Sequence, residues 1–573
     1  MDRTVPTKPE NDIASDGPAL ATSRPAYWQR VEELIEPTSL DAARTIEFGG
    51  APTIGDGSEL ARRDFLKVVG ATFAAATVTV GCERRKVLEA IPYTDKPPEL
   101  VPGQSLWYAT TCNACPARCG LLMKARDGRP IKVEGNPEHP LSKGGVCAAG
   151  QASILDLYDG DRLRAPQIAG KPVTWDELDV AVGKSLAGLP RGSVAVVTPT
   201  VSGPGTRAAL AAFVDDMGAR HVAYDSPGYG AIIAAHMASH GRSAVPSYHF
   251  DRARLVLAFD ADFLGTWVSP VAFARAWATG RKLSADHKEM SRHVHVETQL
   301  SLSGSNADER VRVLPSEQRG LVFGLAARIA AETGLATAAP SRDAAVEKQY
   351  GPWLDQAASA LLAVRGASLV ISGADDVATQ AAINLINQQL GNYGITVDIN
   401  TSCAVYAGTA ASEEKLLADI ESGAIQGLVL AEVNPVYDSR QRTRWAAAID
   451  NLGVSVALCD RIDESAAHCK MHGPAAHFLE SWGDHEPQPG LVSVQQPLLR
   501  ALHGARPSLE TLLIWSGRKV SLLEHLQGSW RQLVAPRAAA GATAIKELNF
   551  QAFWDTAVRD GVVAVNAARV LPG

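Results

Sequence analysis

The sequence predicts an α/β protein in which a small β-rich module precedes Rossmann-like domains built on parallel sheets. Short apolar runs that end in polar, Gly or Pro residues alternate with Ala-rich stretches, a pattern typical of parallel strands with helices on both faces of the sheet. The chain has 573 residues, of which 46% are hydrophobic, so it is long enough for several such domains. Four of its eight cysteines fall in one pattern, which marks the leading module.

The first hundred residues divide into three short segments. Residues 1–57 are predicted to be an N-terminal leader or partner-binding segment, and residues 58–86 an internal twin-arginine signal. Residues 87–104 are rich in Pro and charged residues, and they are predicted to be an extended linker. A twin-arginine signal exports proteins that are already folded around a cofactor, so it indicates an exported redox protein.

The interpretation as an export signal rests on two arginines, an apolar stretch and a cysteine. Arg62 and Arg63 are the expected recognition residues, followed by an apolar stretch at 68–81 that is too short to span a bilayer. Cys82 ends the stretch and is a candidate for lipid attachment.

Residues 105–165 are predicted to form the β-rich module. Three short strands, at 106–110, 120–125 and 131–135, surround a cysteine loop and an Asp-Gly turn. A rigid Pro-containing loop then carries the chain toward the last cysteine of the pattern.

The cysteine pattern comprises Cys112, Cys115, Cys119 and Cys147. Three thiolates within eight residues can bind one face of a small inorganic core, and a fourth from a distant loop closes the other face. This is how a [4Fe-4S] cluster is held, with one thiolate per iron. Structural zinc and two disulfides are the alternatives, although zinc sites usually show paired C-x2-C knuckles. Electron transfer is therefore the leading functional theme.

Two interleaved α/β domains are predicted at residues 166–345 and 346–573, the second with a C-terminal segment. Their strands are expected at 194–197, 255–259, 369–372, 428–430 and 454–458. Parallel sheets bind ligands at the carboxyl ends of their strands, so a second cofactor or a substrate is expected there. The S-G-P-G sequence at 202–205 could cradle a phosphate, but a plain turn is favoured because the full Gly pattern is missing.

Other features of the chain favour structural roles. The net charge of −7, without a basic stripe, argues against nucleic-acid binding. His468, Cys469 and His472 form an H-C-x-x-H pattern, for which packing and hydrogen bonding are favoured over metal binding. Cys403 and Cys459 are expected to be buried and unreactive.

The whole chain resembles the molybdopterin oxidoreductase superfamily. The cysteine module, the parallel α/β domains and the Asn434-Pro435 loop carry this resemblance. Within the superfamily, the chain is most similar to the large iron–sulfur subunit of bacterial alternative complex III, a quinol:cytochrome c oxidoreductase. That likeness lies in the twin-arginine segment and in the stretches 151–159, 248–251, 259–265 and 477–484.

The resemblance implies a membrane-associated electron-transfer subunit that carries one [4Fe-4S] cluster. Its implied partners are a quinol-binding subunit integral to the membrane, a separate ferredoxin-like iron–sulfur chain or domain, and c-type cytochrome subunits. Its implied location is the periplasmic face of the bacterial inner membrane.

The resemblance leaves the presence of molybdopterin open. Asp260 and Asn434 follow strands at positions that touch the pterin in active relatives. However, Ala149 stands two residues after Cys147, where such enzymes usually carry a lysine that relays electrons between cluster and pterin. The first alternative is therefore an active bis-molybdopterin oxidoreductase that acts on a sulfur compound or an oxo-anion. The second is a purely structural scaffold.

Overall fold

The computed structural model describes residues 101, 103–226, 228–285, 288–334, 340–403, 406–538 and 550–567. The leader, the twin-arginine segment with Arg62 and Arg63, the lipidation candidate Cys82 and most of the linker lie outside the described residues. Among the helices that are described, none combines the length and the apolar character needed to cross a bilayer.

The β-rich module is a three-stranded antiparallel sheet followed by one helix. Its elements are β1 (Ser105–Thr111), β2 (Gly120–Arg126), β3 (Arg129–Gly135) and α1 (Ala148–Leu157). Asp127 and Gly128 link β2 to β3 with φ angles of 48° and 76°, the conformation of a tight two-residue hairpin turn. The three predicted strands are confirmed.

The remaining elements follow in four runs. The first comprises β4 (Gln167–Ile168), β5 (Lys171–Pro172), α2 (Trp175–Ala187), β6 (Val194–Thr198), α3 (Pro204–Met217), β7 (Arg220–Ala223) and α4 (Gly230–His240). The second comprises β8 (Val245–Tyr248), β9 (Leu255–Phe259), α5 (Pro270–Arg281), β10 (Arg292–Glu297), α6 (Leu302–Ser305), β11 (Glu309–Arg312), α7 (Pro315–Glu332), α8 (Ala344–Leu362), β12 (Ser368–Ser372), α9 (Val377–Gln389) and β13 (Val397–Cys403). The third comprises α10 (Ala410–Glu421), β14 (Gly427–Ala431), α11 (Pro435–Asp438), α12 (Arg442–Asn451), β15 (Val454–Cys459) and β16 (Met471–Pro474). The last comprises β17 (Gly483–Gln488), β18 (Leu491–Gln495), α13 (Ser508–Trp515), α14 (Leu522–Leu533), α15 (Phe550–Asp560) and β19 (Val562–Ala564).

The larger α/β sheet combines strands from two distant parts of the chain. Its order is β5-β4-β16-β15-β14-β6-β7, and the strands from β16 to β7 are parallel. The chain leaves this sheet after β7, builds a second domain, and returns at β14. The boundary expected between residues 345 and 346 falls inside α8, because α7 and α8 pack together on the second domain's apolar core.

The second domain is built on a four-stranded parallel sheet of order β11-β10-β9-β12. Strand β9 shows why the sheet is buried on both faces. Leu257 and Phe259 point into one apolar core, whereas Val256 and Ala258 point into the other. All five strands predicted for the α/β domains are present, and all lie in parallel sheets.

Contacts with the C-terminal part of the chain hold the module in place. Thr110 and Thr111, at the end of β1, donate hydroxyl hydrogen bonds to backbone carbonyls of the segment that contains β18, at 3.1 and 2.9 Å. Beyond α1, the Arg162 guanidinium donates two hydrogen bonds to the Glu480 carboxylate, at 3.1 and 2.6 Å. Both side chains of this ion pair are almost fully buried. The module is therefore anchored by residues that are more than 300 positions away.

Replacing Arg162 tests this anchor. The change Arg162→Ala is expected to lower the free energy of unfolding by about 3–5 kcal/mol, because it leaves the buried Glu480 carboxylate without its cation. Thermal unfolding followed by circular dichroism measures the loss. Arg559→Ala removes an exposed ion pair with Asp560, so this control is expected to melt close to the wild type. Similar melting temperatures for the two variants would contradict the anchoring role.

Buried histidines predict a loss of stability in mild acid. Burial lowers the pKa of His139 and His236 to about 4 and that of His293 to about 3. In the unfolded chain a histidine titrates near pH ~6.5, so below that pH the unfolded state binds more protons and stability falls as the pH falls. Each histidine contributes about 1.4 kcal/mol per pH unit down to its folded pKa. Between pH 7 and 4.5, the melting temperature of His236→Gln is expected to fall less steeply than that of the control His503→Gln. The control replaces an exposed histidine. Equal slopes would contradict this account.

Candidate iron–sulfur site

Three of the four predicted ligands lie on the loop between β1 and β2. The backbone N–H of Cys112 donates to the carbonyl of Cys119 at 2.8 Å, which closes the loop. The fourth cysteine, Cys147, is the N-cap of α1, and its sulfur accepts a hydrogen bond from the N–H of Gly150 at 3.4 Å. The positive end of α1 therefore faces this sulfur.

The structure brings all four predicted ligands together. A β-carbon on Gly150 would lie 2.7 Å from the Cγ2 of Val146 and 3.7 and 3.8 Å from the Sγ atoms of Cys112 and Cys147, so the start of α1 packs directly against two of the sulfurs. Each of the six pairs among Cys112, Cys115, Cys119 and Cys147 interacts electrostatically. A loop and a helix start thus converge on one small region.

Burial makes three of these thiols, Cys112, Cys115 and Cys119, reluctant to ionise by themselves. It raises the pKa of Cys112 to about 11 and raises the pKa values of Cys115 and Cys119, and the neighbouring thiols add to the effect. Bound iron offsets this cost, because a thiol releases its proton when it binds a metal. The donor set fits a [4Fe-4S] cluster, which takes one thiolate per iron. Within the described ranges, no three His, Cys, Asp or Glu side chains are grouped to hold a single metal ion.

A buried arginine, Arg118, belongs to the cysteine loop itself. Its guanidinium interacts electrostatically with Cys112 and Cys115, and also with Glu432 and Asp225. Its Nη1 has no hydrogen-bond partner among the described residues. The backbone has a φ of 51°, a left-handed conformation that is costly for a residue other than glycine. The loop therefore places a cation between the cysteines and the strand ends.

Arg118 lines a cavity of about 110 Å³ at the carboxyl ends of β6 and β14. Thr198, the last residue of β6, and Glu432, which follows β14, belong to its lining. His485 also lines the cavity, and burial, assisted by the charge of Arg118, lowers the pKa of His485 well below its usual value. The imidazole is therefore neutral at neutral pH.

A larger cleft, of about 630 Å³, lies where the strand ends of the two sheets meet. Its lining contains one arginine, Arg440, together with the acidic residues Asp225, Asp260, Asp262, Asp375, Glu413 and Asp438. This is the position at which parallel α/β sheets bind ligands. The charge of its lining is predominantly negative.

The two predicted pterin contacts lie at strand ends, but their polar groups are used within the protein. The carboxylate of Asp260 accepts a hydrogen bond from the N–H of Thr298 at 2.9 Å, in the larger cleft. Asn434 donates to Glu464 at 2.7 Å and accepts from the hydroxyl of Ser465 at 2.8 Å. Asn434 lines a separate cavity of about 300 Å³ beside the cysteine loop, so the structure does not bring the two residues to one site.

The S-G-P-G segment, for which the sequence favours a plain turn over a phosphate cradle, holds a carboxylate of the chain itself. Asp484 accepts hydrogen bonds from the N–H groups of Gly205 and Thr206, at 2.7 and 2.8 Å, in the first turn of α3. A β-carbon on Gly203 would lie 2.0 Å from the Asp484 carbonyl oxygen, so only glycine permits this close approach. The S-G-P-G turn is thus an anion site that is satisfied internally.

These features fit an anionic pterin dinucleotide poorly. The carboxylates that line the larger cleft would repel the phosphates of the dinucleotide. The N–H groups at the start of α3 already bond the Asp484 carboxylate. Ala149 is exposed on the first turn of α1 and supplies no charge. The residues that are present therefore match the cluster far better than the pterin.

The H-C-x-x-H segment is used for packing and hydrogen bonding, as the sequence indicates. The Nδ1 of His468 lies 2.9 Å from a carboxylate oxygen of Asp450. The Nε2 of His472 lies 2.7 Å from the carbonyl oxygen of Ala466, and Cys469 is buried in an apolar core.

Comparisons with known proteins agree with the geometry of the site. Residues 106–159 match the molybdopterin oxidoreductase Fe4S4 domain, a range that contains all four cysteines. The chain is 24% identical to the menaquinone reductase molybdopterin-binding-like subunit of Nitratidesulfovibrio vulgaris, over 84% of this chain and 75% of that protein. These similarities support the molybdopterin oxidoreductase superfamily.

Further members of the superfamily match shorter parts of the chain. The arsenate respiratory reductase molybdopterin-containing subunit of a Shewanella species is 31% identical over 22% of this chain and 16% of its own length. A sulfite dehydrogenase subunit of Allochromatium vinosum is 37% identical over 14% of this chain and 9% of its own length. Among solved structures, acetylene hydratase from Pelobacter acetylenicus aligns with a TM-score of 0.58 and 12% identity, over 81% of this chain and 75% of that chain, which shows a shared fold.

Sequence reasoning missed the roles of Arg118 and Asp484. A signal for Arg118 was present, since a cation inside the C-x-x-C-x-x-x-C loop must lie near the thiolates. No local signal marks Asp484, because its partners on α3 are 278 and 279 residues away.

Replacing one ligand tests the cysteine assignment. The change Cys119→Ser is expected to reduce cluster iron from about four atoms per chain to fewer than about one, because the hydroxyl is a poor replacement for a thiolate. Iron analysis and electron paramagnetic resonance of the anaerobically purified protein measure the loss. Cys403→Ser, at a half-buried cysteine outside the site, is the control and is expected to retain its iron. Full iron in Cys119→Ser would refute the assignment.

Proposed function

We propose that this chain is an electron-transfer subunit of a membrane-associated, quinol-oxidising respiratory complex of the alternative complex III type. It holds one [4Fe-4S] cluster on Cys112, Cys115, Cys119 and Cys147. When bound, the cluster accepts and passes on one electron at a time. The chain makes and breaks no substrate bonds itself.

The observation that carries this proposal is the convergence of four buried or half-buried thiols beside a cleft that fits the second cofactor poorly. Two further findings support it. The relative aligned over most of this chain is named as a menaquinone reductase subunit that is molybdopterin-binding-like. In addition, the helix start that could take a phosphate is filled by Asp484.

In this function, residues of the chain shield one side of the cluster from water and adjust its reduction potential. Cys112 and Cys119 are buried, so they exclude water from one side of the cluster, whereas Cys115 and Cys147 are only half-buried. A cluster near the surface on one side suits electron exchange with a neighbouring carrier. Burial and hydrogen bonds to sulfur, such as the one from the N–H of Gly150, adjust its potential.

The proposed partners are a quinol-binding subunit integral to the membrane, a ferredoxin-like iron–sulfur chain or domain, and c-type cytochromes. Exposed apolar side chains on the module support a docking role, namely Leu155, Tyr158 and Ile131 at 68%, 50% and 49% exposure. The proposed location is the periplasmic face of the inner membrane, reached by twin-arginine export through Arg62 and Arg63. Acylation of Cys82 would add a lipid anchor.

An active bis-molybdopterin enzyme is the second candidate. The four cysteines and a ligand-sized cleft between two parallel sheets favour it, because such a cleft is where a cofactor of this kind would lie. The acidic lining, the internal bonds of Asp260 and Asn434, and the uncharged Ala149 oppose it.

Elemental analysis separates these candidates. The native membrane complex is purified anaerobically, this chain is resolved from its partners, and iron, molybdenum and tungsten are counted per chain. About four irons without molybdenum or tungsten are expected, as for one cubane cluster. Near-stoichiometric molybdenum or tungsten would favour the enzyme instead, and iron-free protein would leave only a scaffold.

A further inference from the structure

The geometry points to Arg118 as the residue whose charge raises the reduction potential of the cluster. The inference rests on the proposed function, since it requires a cluster on the four cysteines. The guanidinium is a permanent positive charge held between the thiolates and the cavity at the ends of β6 and β14. We infer that this charge stabilises the reduced cluster and thereby raises its potential.

The backbone fixes where the charge lies. Arg118 precedes the ligand Cys119, and its N–H donates to the carbonyl of the ligand Cys115 at 3.4 Å. The left-handed backbone at this residue, with a φ of 51°, turns the chain sharply inside the cysteine loop. Only 8% of the residue is exposed, so the charge acts through protein rather than through water.

The protein does not fully neutralise this charge. Nη1 is buried and has no hydrogen-bond partner among the described residues. Two carboxyl groups interact with the guanidinium, and each also accepts a hydrogen bond from a hydroxyl. Glu432 accepts a hydrogen bond from Ser508 at 2.6 Å, and Asp225 accepts one from the hydroxyl of Thr200 at 2.6 Å.

The other groups facing Arg118 do not cancel its charge either. Burial raises the pKa of Glu432, which favours the neutral acid, and burial lowers the pKa of His485, which favours the neutral ring. The charge of Arg118 therefore acts on the cluster together with that of Asp225, which partly offsets it. Reduction adds one electron to the cluster, from the neighbouring carrier in the complex, and this extra negative charge is stabilised by the nearby cation.

Exposed cations cannot have the same effect. Lys132, on β3 of the same module, is half-exposed and already pairs with Glu134 at 3.0 Å. Water and salt screen its charge. Lys132 therefore offers a matched control for the removal of a single positive charge from the module.

A redox titration of the native complex tests the inference. The complex is purified anaerobically with wild-type, Arg118→Gln, Arg118→Lys or Lys132→Gln chains, and the cluster is followed by electron paramagnetic resonance. Arg118→Gln is expected to lower the equilibrium constant for reduction at least tenfold, which is about 59 mV for a one-electron couple. Arg118→Lys should retain most of the wild-type potential, and Lys132→Gln should match it.

Each other outcome has a definite meaning. An unshifted potential in Arg118→Gln, or equal shifts in the Gln and Lys variants, would overturn the role of the charge and leave Arg118 as packing. If Arg118→Gln does not retain iron, Arg118→Met supplies an uncharged chain of similar length for the same comparison. A wild-type complex without a cluster signal from this chain would sink the proposed function itself, and this inference with it.

Discussion

The convergence of four thiols, two buried and two half-buried, is the constraint around which the module is built. The loop between the antiparallel strands β1 and β2 presents three of them, and the start of α1 brings the fourth to the same place. The N–H of Gly150 bonds the sulfur of Cys147, and the residue also lies beside the sulfur of Cys112. So small a module has little core of its own, and the buried pair of Arg162 and Glu480 ties it to the α/β body.

Charge around the thiols is distributed unevenly. A cation, Arg118, lies next to the ligands, whereas carboxylates dominate the larger cleft beyond. A buried cation favours electron uptake by the cluster, while an acidic cleft disfavours an anionic cofactor. Both tendencies agree with the proposed electron-transfer role.

The parallel strands end at a shared cleft, and α3 begins with a glycine-rich turn beside the smaller cavity. The anion at that turn, however, is Asp484, delivered by β17 from the far end of the chain. An internal carboxylate satisfies the same N–H groups that a bound phosphate would use, which illustrates that function lies in the site rather than in the fold.

Local patterns in the sequence were enough to predict the strands and the hairpin of the module, since these depend on periodicity and turn residues. The four ligands, inferred from spacing, stay a prediction. Local patterns also predicted that the α/β domains interleave, but they placed a domain boundary inside α8, because the packing of α7 on α8 leaves no mark in composition. The folded chain was needed to show that Asp484 fills the helix start and that the Nη1 of Arg118 is left without a hydrogen-bond partner between thiolates and cleft. Those facts depend on burial and on contacts between residues hundreds of positions apart, which no local pattern encodes.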